Sequence, residues 1–412
     1  MNLDFLWYMV YAVIGFFIAE VLTYSVSLLV KRRFHWLILH KDEKPELSKT
    51  GLKTFLTHGY DSELGWIRKP NTNHNEKGKY GITKWTTNIR GARINPGFET
   101  KNSEISCYGD SFGFCRQVND DETWEHYLSI LKNTNITNFS VGNYGIDQAL
   151  LRIKREFKKN KTNTVILAIV PDTISRIISI WKHYYEYGNT FGFKPRFTIK
   201  NNELLLIKNP IDNESKFNDY QSYLSIIQKN DFFYKNKFKK EILNFPYCFT
   251  ILKNFHRNFS IIYWVVKIQY LKKFNKNWAD IEWNPKRIIM RINLRWRIKL
   301  YQNKEVLQLF RKIVEEFVLF SKENEFRPVL AFLPQKDDVN FIKDNFHFYE
   351  NFLNELDSMK ELLVIDAVND LVKEHDIDAF YSDNNEYGGH FSREGNNKIA
   401  TIISNELVRN SL

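Results

Sequence analysis

Residues 105–112 read Ile-Ser-Cys-Tyr-Gly-Asp-Ser-Phe, a short apolar run that breaks into a glycine followed by two polar residues. The run suits a buried strand, and Gly109 permits a sharp turn where it ends. Such a turn delivers Ser111 to the carboxyl edge of a sheet, the place where open α/β folds present reactive groups. If Ser111 opens the next helix, its own N–H is left free to donate to a developing oxyanion. Gly-Asp-Ser alone is a weak signal, and a turn with a serine cap accounts for it equally well.

Working outward, helical and extended patterns alternate. TWEHYLSIL (123–131) has helical spacing, TNITNFSVGNYG (134–145) reads as strand and loop, and DQALLRIKREFKK (147–159) as an amphipathic helix. NTVILAIVP (163–171) is a continuous apolar run of strand length bounded by turn residues, as for a strand covered on both faces. The alternation resumes with an amphipathic helix over Glu305 to Ser321, strands in RPVLAFLP (327–334) and MKELLVIDAV (359–368), and a final helix from about Gly395 to Asn410. Strands alternating with helices predict an α/β fold, a parallel sheet in a three-layer sandwich.

Two regions depart from this rhythm. Residues 34–100 are polar and turn-rich, with LGWIRKP (64–70) and ITKWTTNIRGARI (82–94) predicted as small strands packed on the main domain of 101–412. Residues 181–300 include WKHYYEYGNTFGFKPRF (181–197) and NPKRIIMRINLRWRIK (284–299), rich in aromatics and Lys/Arg with patchy periodicity. They read as an insertion or cap within the domain. Its faces suit a nucleic acid, a glycan or a membrane surface, and a solvated, partly packed helical subdomain is the plainer account.

The chain begins differently again. Residues 5–30 are apolar apart from Glu20, and a helix of that length reaches ~39 Å, enough to cross hydrocarbon with some tilt. The start, MNLD, lacks the basic character of a signal peptide and no small-residue cleavage site follows. A single permanent span over 1–33, touching lipid through residues 5–30, is the expectation. Lys31, Arg32, Arg33 and Lys41 follow it, which by flanking charge places the body on the cytoplasmic side, with the periplasmic or extracellular side open. These cations also suit lipid phosphates. Glu20 calls for a helix partner or a shallow position.

Hydrophobic residues make up 43% of the 412, enough for a sizeable core and too many for wholesale disorder. Lys and Arg number 59 against 48 Asp and Glu, a net +11 that favours an anionic neighbour. Cys107, Cys115 and Cys248 form no C-x-x-C or Cys/His cluster, and no Walker, G-x-G-x-x-G or H-E-x-x-H pattern occurs. No metal and no cofactor is expected, and nucleic acid is not an expected partner.

A serine nucleophile needs a base, and the histidine in a telling context is His390, after Gly388 and Gly389 and before the polar turn that opens the last helix. With YGDSFGFCRQVNDDETWEHYL (108–128), NFSVGNYGIDQALLRIK (138–154), TVILAIVPDTISRI (164–177) and GGHFSREGNNKIA (388–400), the chain resembles the ordered blocks of SGNH/GDSL hydrolases, notably membrane-anchored bacterial members of surface-polysaccharide loci. The resemblance covers about 105–176 and 305–410. It implies a flavodoxin-like three-layer fold and serine esterase or acyltransferase chemistry. It assigns Ser111 as nucleophile, His390 as general base, and Ser111, Gly142 and Asn143 to the oxyanion hole, with Asn143 at the family's glycine position.

Two positions depart from the family pattern. Pro171 stands where the family's third block carries an Asn donor, leaving Thr173 or the Asn143 side chain to substitute. Tyr387 stands where its acid lies, with Asp383 and Glu386 the nearest carboxylates; a Ser–His dyad is the further alternative. Three readings therefore stand. One is a membrane-anchored esterase acting on an O-acylated small molecule, glycan or lipid-linked saccharide. The others are an O-acyltransferase on a polysaccharide, and a degenerate binding or scaffold protein. The acyl group and oligomeric state are not legible in the sequence.

Overall fold

The apolar runs become five strands, β1 (Ser103–Gly109), β2 (Asn135–Asn138), β3 (Thr164–Ile169), β4 (Arg327–Phe332) and β5 (Leu363–Asp366). All neighbours pair in parallel, in the order β5-β4-β3-β1-β2. This is the flavodoxin-like order, and its direction reverses between β1 and β3. The computed structural model describes residues 3–383, 385–387 and 389–410. Helices Trp124–Lys132 and Arg393–Arg409 pack together, as do Ile146–Glu156 and Lys304–Asn324. Right-handed crossovers in this strand order place the two pairs on opposite faces, which gives the expected three layers.

Gly109 is demanded by proximity, not by an unusual dihedral. A Cβ there would sit 1.8 Å from the carbonyl oxygen of Ala168, so β1 and β3 close at the switch point only with glycine. The helix expected to start at Ser111 does not form. One turn closes, with Phe114 N–H on the Asp110 carbonyl at 2.8 Å, and then Cys115 (φ 57°) and Gln117 (φ 67°) enter the left-handed region and stop it. Buried Arg93 takes the carbonyls left over. Its guanidinium donates to Phe114 and Val118 at 2.7 Å each and to Cys115, and it pairs with Asp120 at 2.8 Å.

The chain divides into two compact units, residues 1–48, 181–190 and 227–293, and residues 49–180, 191–226 and 294–412. The boundaries expected at 33/34, 100/101 and around 181–300 are thus redrawn. Segment 34–100 splits after 48, and most of the insertion joins the N-terminal residues instead of the sheet. Apolar burial is the reason. Val30, Leu37, Leu39, Leu243, Ile261, Val265 and Ile289 form one cluster that neither stretch completes alone. The aromatic run at 181 is spent in the same way, since Trp181, Tyr184, Tyr185 and Phe238 are all buried. It is core, and not a platform for sugars or bases.

The first helix runs from Leu3 to Arg33. Glu20 has a helix partner. Its carboxylate accepts the N–H groups of Tyr247 (2.5 Å) and Cys248 (2.9 Å), the first residues of helix Tyr247–Lys253. The anion thereby meets the positive end of a helix and two otherwise orphaned donors. Glu20→Ala is expected to cost about 2 kcal/mol. Limited proteolysis in detergent should cut the variant sooner within 227–293, with Glu20→Gln intermediate. Lys31 is also internal, on Asp42 at 2.5 Å and the Tyr187 hydroxyl at 2.8 Å, while Arg32, Arg33 and Lys41 stay exposed.

Candidate active site

Ser111 follows β1 at the point where the strand order reverses, and it is 7% exposed. Asp110 fixes the loop from beneath. Its buried carboxylate accepts the N–H groups of Phe112 and Val170 at 2.8 Å each and pairs with Arg176 at 3.1 Å. Asp110 thus caps the turn and ties the Ser111 loop to the end of β3. The Asp172–Arg176 pair forms at 3.4 Å, and Arg297 extends it, bonding Asp172 (3.4 Å), Asp337 (3.3 Å) and Asp338.

The imidazole of His390 reaches the same loop. Gln117 Oε1 accepts both its backbone N–H and its Nδ1–H at 2.9 Å, together with the Ser382 hydroxyl at 2.8 Å. A backbone N–H only donates, so the atom it meets must be the amide oxygen of Gln117, and Nδ1 must carry the ring proton. The Nε2 lone pair is then free to accept a proton, the tautomer a general base requires. The ring packs on Phe112, with centroids 4.8 Å apart. Gly389, at φ 81°, supplies the loop bend; Gly388 lies outside the described residues.

Neither expected acid bonds His390. The Asp383 carboxylate is turned onto Asn385, accepting its N–H at 3.0 Å and its side-chain amide at 2.8 Å, and Glu386 is exposed. The position is filled from the Ser111 loop instead. Gln117 is held there by Glu76, whose carboxylate accepts the Gln117 N–H at 2.9 Å and Arg116 Nε at 3.0 Å. Glu76 belongs to the hairpin of Asn73–Gly78 and Gly81–Thr86.

His390 is strongly biased toward its neutral form. Burial pushes the His390 pKa down to about 3; Arg116, Arg176 and Arg68 add to the effect, and Glu76 opposes it. Neither Nε2 of His390 nor the Ser111 hydroxyl has a hydrogen-bond partner among the described residues.

Two backbone donors border the serine. The N–H groups of Ser111 and Gly142 engage no acceptor among the described residues, and a Cβ placed on Gly142 would lie 3.8 Å from Ser111 Cβ. Trp66 Nε1 holds the Gly142 carbonyl at 2.9 Å. Asn143 adopts φ 69° and is exposed. Thr173 does not stand in for the donor that Pro171 lacks: it is wholly buried and its hydroxyl oxygen accepts the Ile146 N–H at 2.8 Å. Gln117, Glu76, Arg116 and Arg68 escaped the sequence reading. Gln117 lies in the quoted 108–128 block, but no pattern marks an amide as the partner of a distant imidazole.

No protein-family model matches the chain, and no curated protein does. Among solved structures, it is similar to a protein of a lipolytic G-D-S-L family from Desulfitobacterium hafniense DCB-2, at 12% identity over 74% of this chain and 100% of that one, with a TM-score of 0.34. It is also similar to a member of the lipolytic G-D-S-L family from Veillonella parvula DSM 2008, at 10% identity over 75% and 98%, with a TM-score of 0.30. At those TM-scores neither likeness bears on what this chain does.

Proposed function

We propose that the sheet unit is a serine ester hydrolase. The observation that carries this is the Gln117-bound imidazole with a free Nε2, packed on Phe112 of the loop where Ser111 lies beside unengaged N–H groups. Ser111 Oγ attacks the ester carbonyl while its proton passes to His390 Nε2, and the carbonyl oxygen, now an anion, is held by Ser111 N–H and Gly142 N–H. Collapse breaks the C–O bond, the imidazolium returns its proton to the leaving alkoxide, and water repeats the sequence on the acyl-enzyme to release the acid.

A saccharide as carrier of the ester rested on the basic, aromatic cap at about 181–300, and Trp181, Tyr184 and Tyr185 there are buried. The proposal is therefore confined to an O-acyl ester. The contrary reading, a binding protein without turnover, draws on the amide where a carboxylate would stabilise the imidazolium. A fluorophosphonate probe separates the two. Adduct on Ser111 of the wild-type chain, lost in Ser111→Ala and slowed in His390→Ala, is the expected result; an unlabelled wild type would leave the binding protein. Acetate release with and without a sugar acceptor distinguishes hydrolysis from acyl transfer.

The same proposal places residues 5–30 in a bilayer. Phe5, Trp7, Val13, Phe17, Val21 and Leu29 all face outward, and the apolar exterior continues over Phe249, Phe259, Val266 and Tyr270 of the same unit. Cleavage as a signal peptide would remove Glu20, Ser27 and Val30 from the interior of that unit. Pelleting with membranes in alkaline carbonate is expected, and release into the supernatant would count against a span.

A further inference from the structure

Three guanidinium groups act on His390, and two of them are spoken for. Arg116 is bonded to Glu76 and Arg176 to Asp110. Arg68 differs. It has no carboxylate partner and donates no side-chain hydrogen bond among the described residues, and its Nε is fully buried without an acceptor. Glu76 is close enough to act on it, but that carboxylate is committed to Arg116 and to the Gln117 N–H. What holds Arg68 is stacking, with the guanidinium carbon 4.5 Å from the Trp85 ring centroid and 4.8 Å from that of Phe114.

Arg68 Nη2 and Ser111 border the same space over Gly142. A Cβ built on Gly142 would stand 3.5 Å from Arg68 Nη2 and 3.8 Å from Ser111 Cβ, so the missing methyl leaves a gap bordered by the serine on one side and a cation on the other. The buried Nε has lost water without gaining an acceptor, and the Nη groups have no protein acceptor among the described residues, so an anion arriving there meets an uncommitted cation. We infer that Arg68 is a catalytic residue, its Nη2 donating to the ester carbonyl oxygen as Ser111 attacks. This rests on the proposed serine chemistry. Stacking on Trp85 and Phe114 holds the group in place before reaction, the condition under which such donors act most strongly. It supplies the side-chain donor that Pro171 cannot.

The test compares wild type with Arg68→Met, which keeps the stacked stem and removes the charge, on p-nitrophenyl acetate, a neutral ester. The expected result is a fall in kcat of about 10²–10³ with KM changed only a few-fold, and partial recovery in Arg68→Lys. Gly142→Ala is the second variant. Its methyl meets only ordinary contacts, so the fold should survive while the gap is filled, and kcat should fall with it. Unchanged kcat in Arg68→Met would overturn the inference. So would a loss confined to KM, or one seen only with esters bearing a negative charge, either of which makes Arg68 a substrate clamp. A wild type without Ser111-dependent turnover overturns the proposed hydrolase itself, an outcome read before any Arg68 variant is assayed.

Discussion

Gln117→Leu is expected to lower kcat/KM by about 10³–10⁴, the scale seen when a serine enzyme's histidine is left in the wrong tautomer. The residue does not touch the substrate. It acts through His390, by accepting Nδ1–H at 2.9 Å and so keeping the lone pair on Nε2. Leucine has similar bulk and no acceptor, and the imidazole would then be free to place its proton on either nitrogen. A purely structural role predicts a lower unfolding temperature with an unchanged pH profile. A positioning role predicts the profile changes too, and Gln117→Glu is the decisive comparison. In the wild type His390 stays neutral down to a pKa of about 3, so kcat/KM should show no acid limb between pH 5 and 7. A carboxylate in place of the amide stabilises the imidazolium and raises that pKa, and activity should then fall as pH drops through this range. Unchanged activity and pH profile in both Gln117 variants would refute the positioning role.

That amide also marks where sequence reading stops. The strands were legible because β1, β3 and β4 are covered on both faces and so must be written as unbroken apolar runs, as TVILAI at 164–169 is. The position of Ser111 was legible because a Gly-Asp-Ser turn after such a run lands at the carboxyl edge. The partner of His390 was not, because orientation of a base needs only an acceptor at the right distance. Glutamine six positions past the serine meets that need through a left-handed backbone at φ 67°, which composition does not announce. The same holds for Arg68, which sits in a turn-rich stretch and acquires meaning only from its lack of a counter-charge. The unit boundary was hidden for a different reason. Leu37 and Leu243 are each unremarkable in the sequence and become one core only when the chain has folded.

Raising the pH from 5 to 8 should destabilise the sheet unit by about 3 to 4 kcal/mol through Glu125 alone. Glu125 is 2% exposed at the start of helix Trp124–Lys132, accepts the Cys115 thiol at 3.0 Å through Oε2, and has no partner for Oε1. Burial pushes its pKa up to about 8 from an ordinary 4.5, against weaker pulls from the Cys115 thiol and Arg93. Between those two values the native chain holds a proton that the unfolded chain has released. Stability therefore declines with rising pH across that interval, by about 1.4 kcal/mol per unit. His390 works in the opposite sense, gaining stability as pH rises from its folded value of about 3 to its ordinary 6.5, and adds nothing further above that. Asp338, pushed up to about 7 by burial despite Arg297, shares the sign of Glu125 and has largely run its course one unit earlier. The measurement that isolates Glu125 is the difference between the wild-type and Glu125→Gln stability curves, since every other group cancels. Glutamine keeps the shape and stays neutral, so the variant should lose the slope and overtake the wild type at pH 8. Parallel curves for the two proteins would mean that Glu125 is ionised in the fold, and that the Cys115 thiol and Arg93 together outweigh its burial.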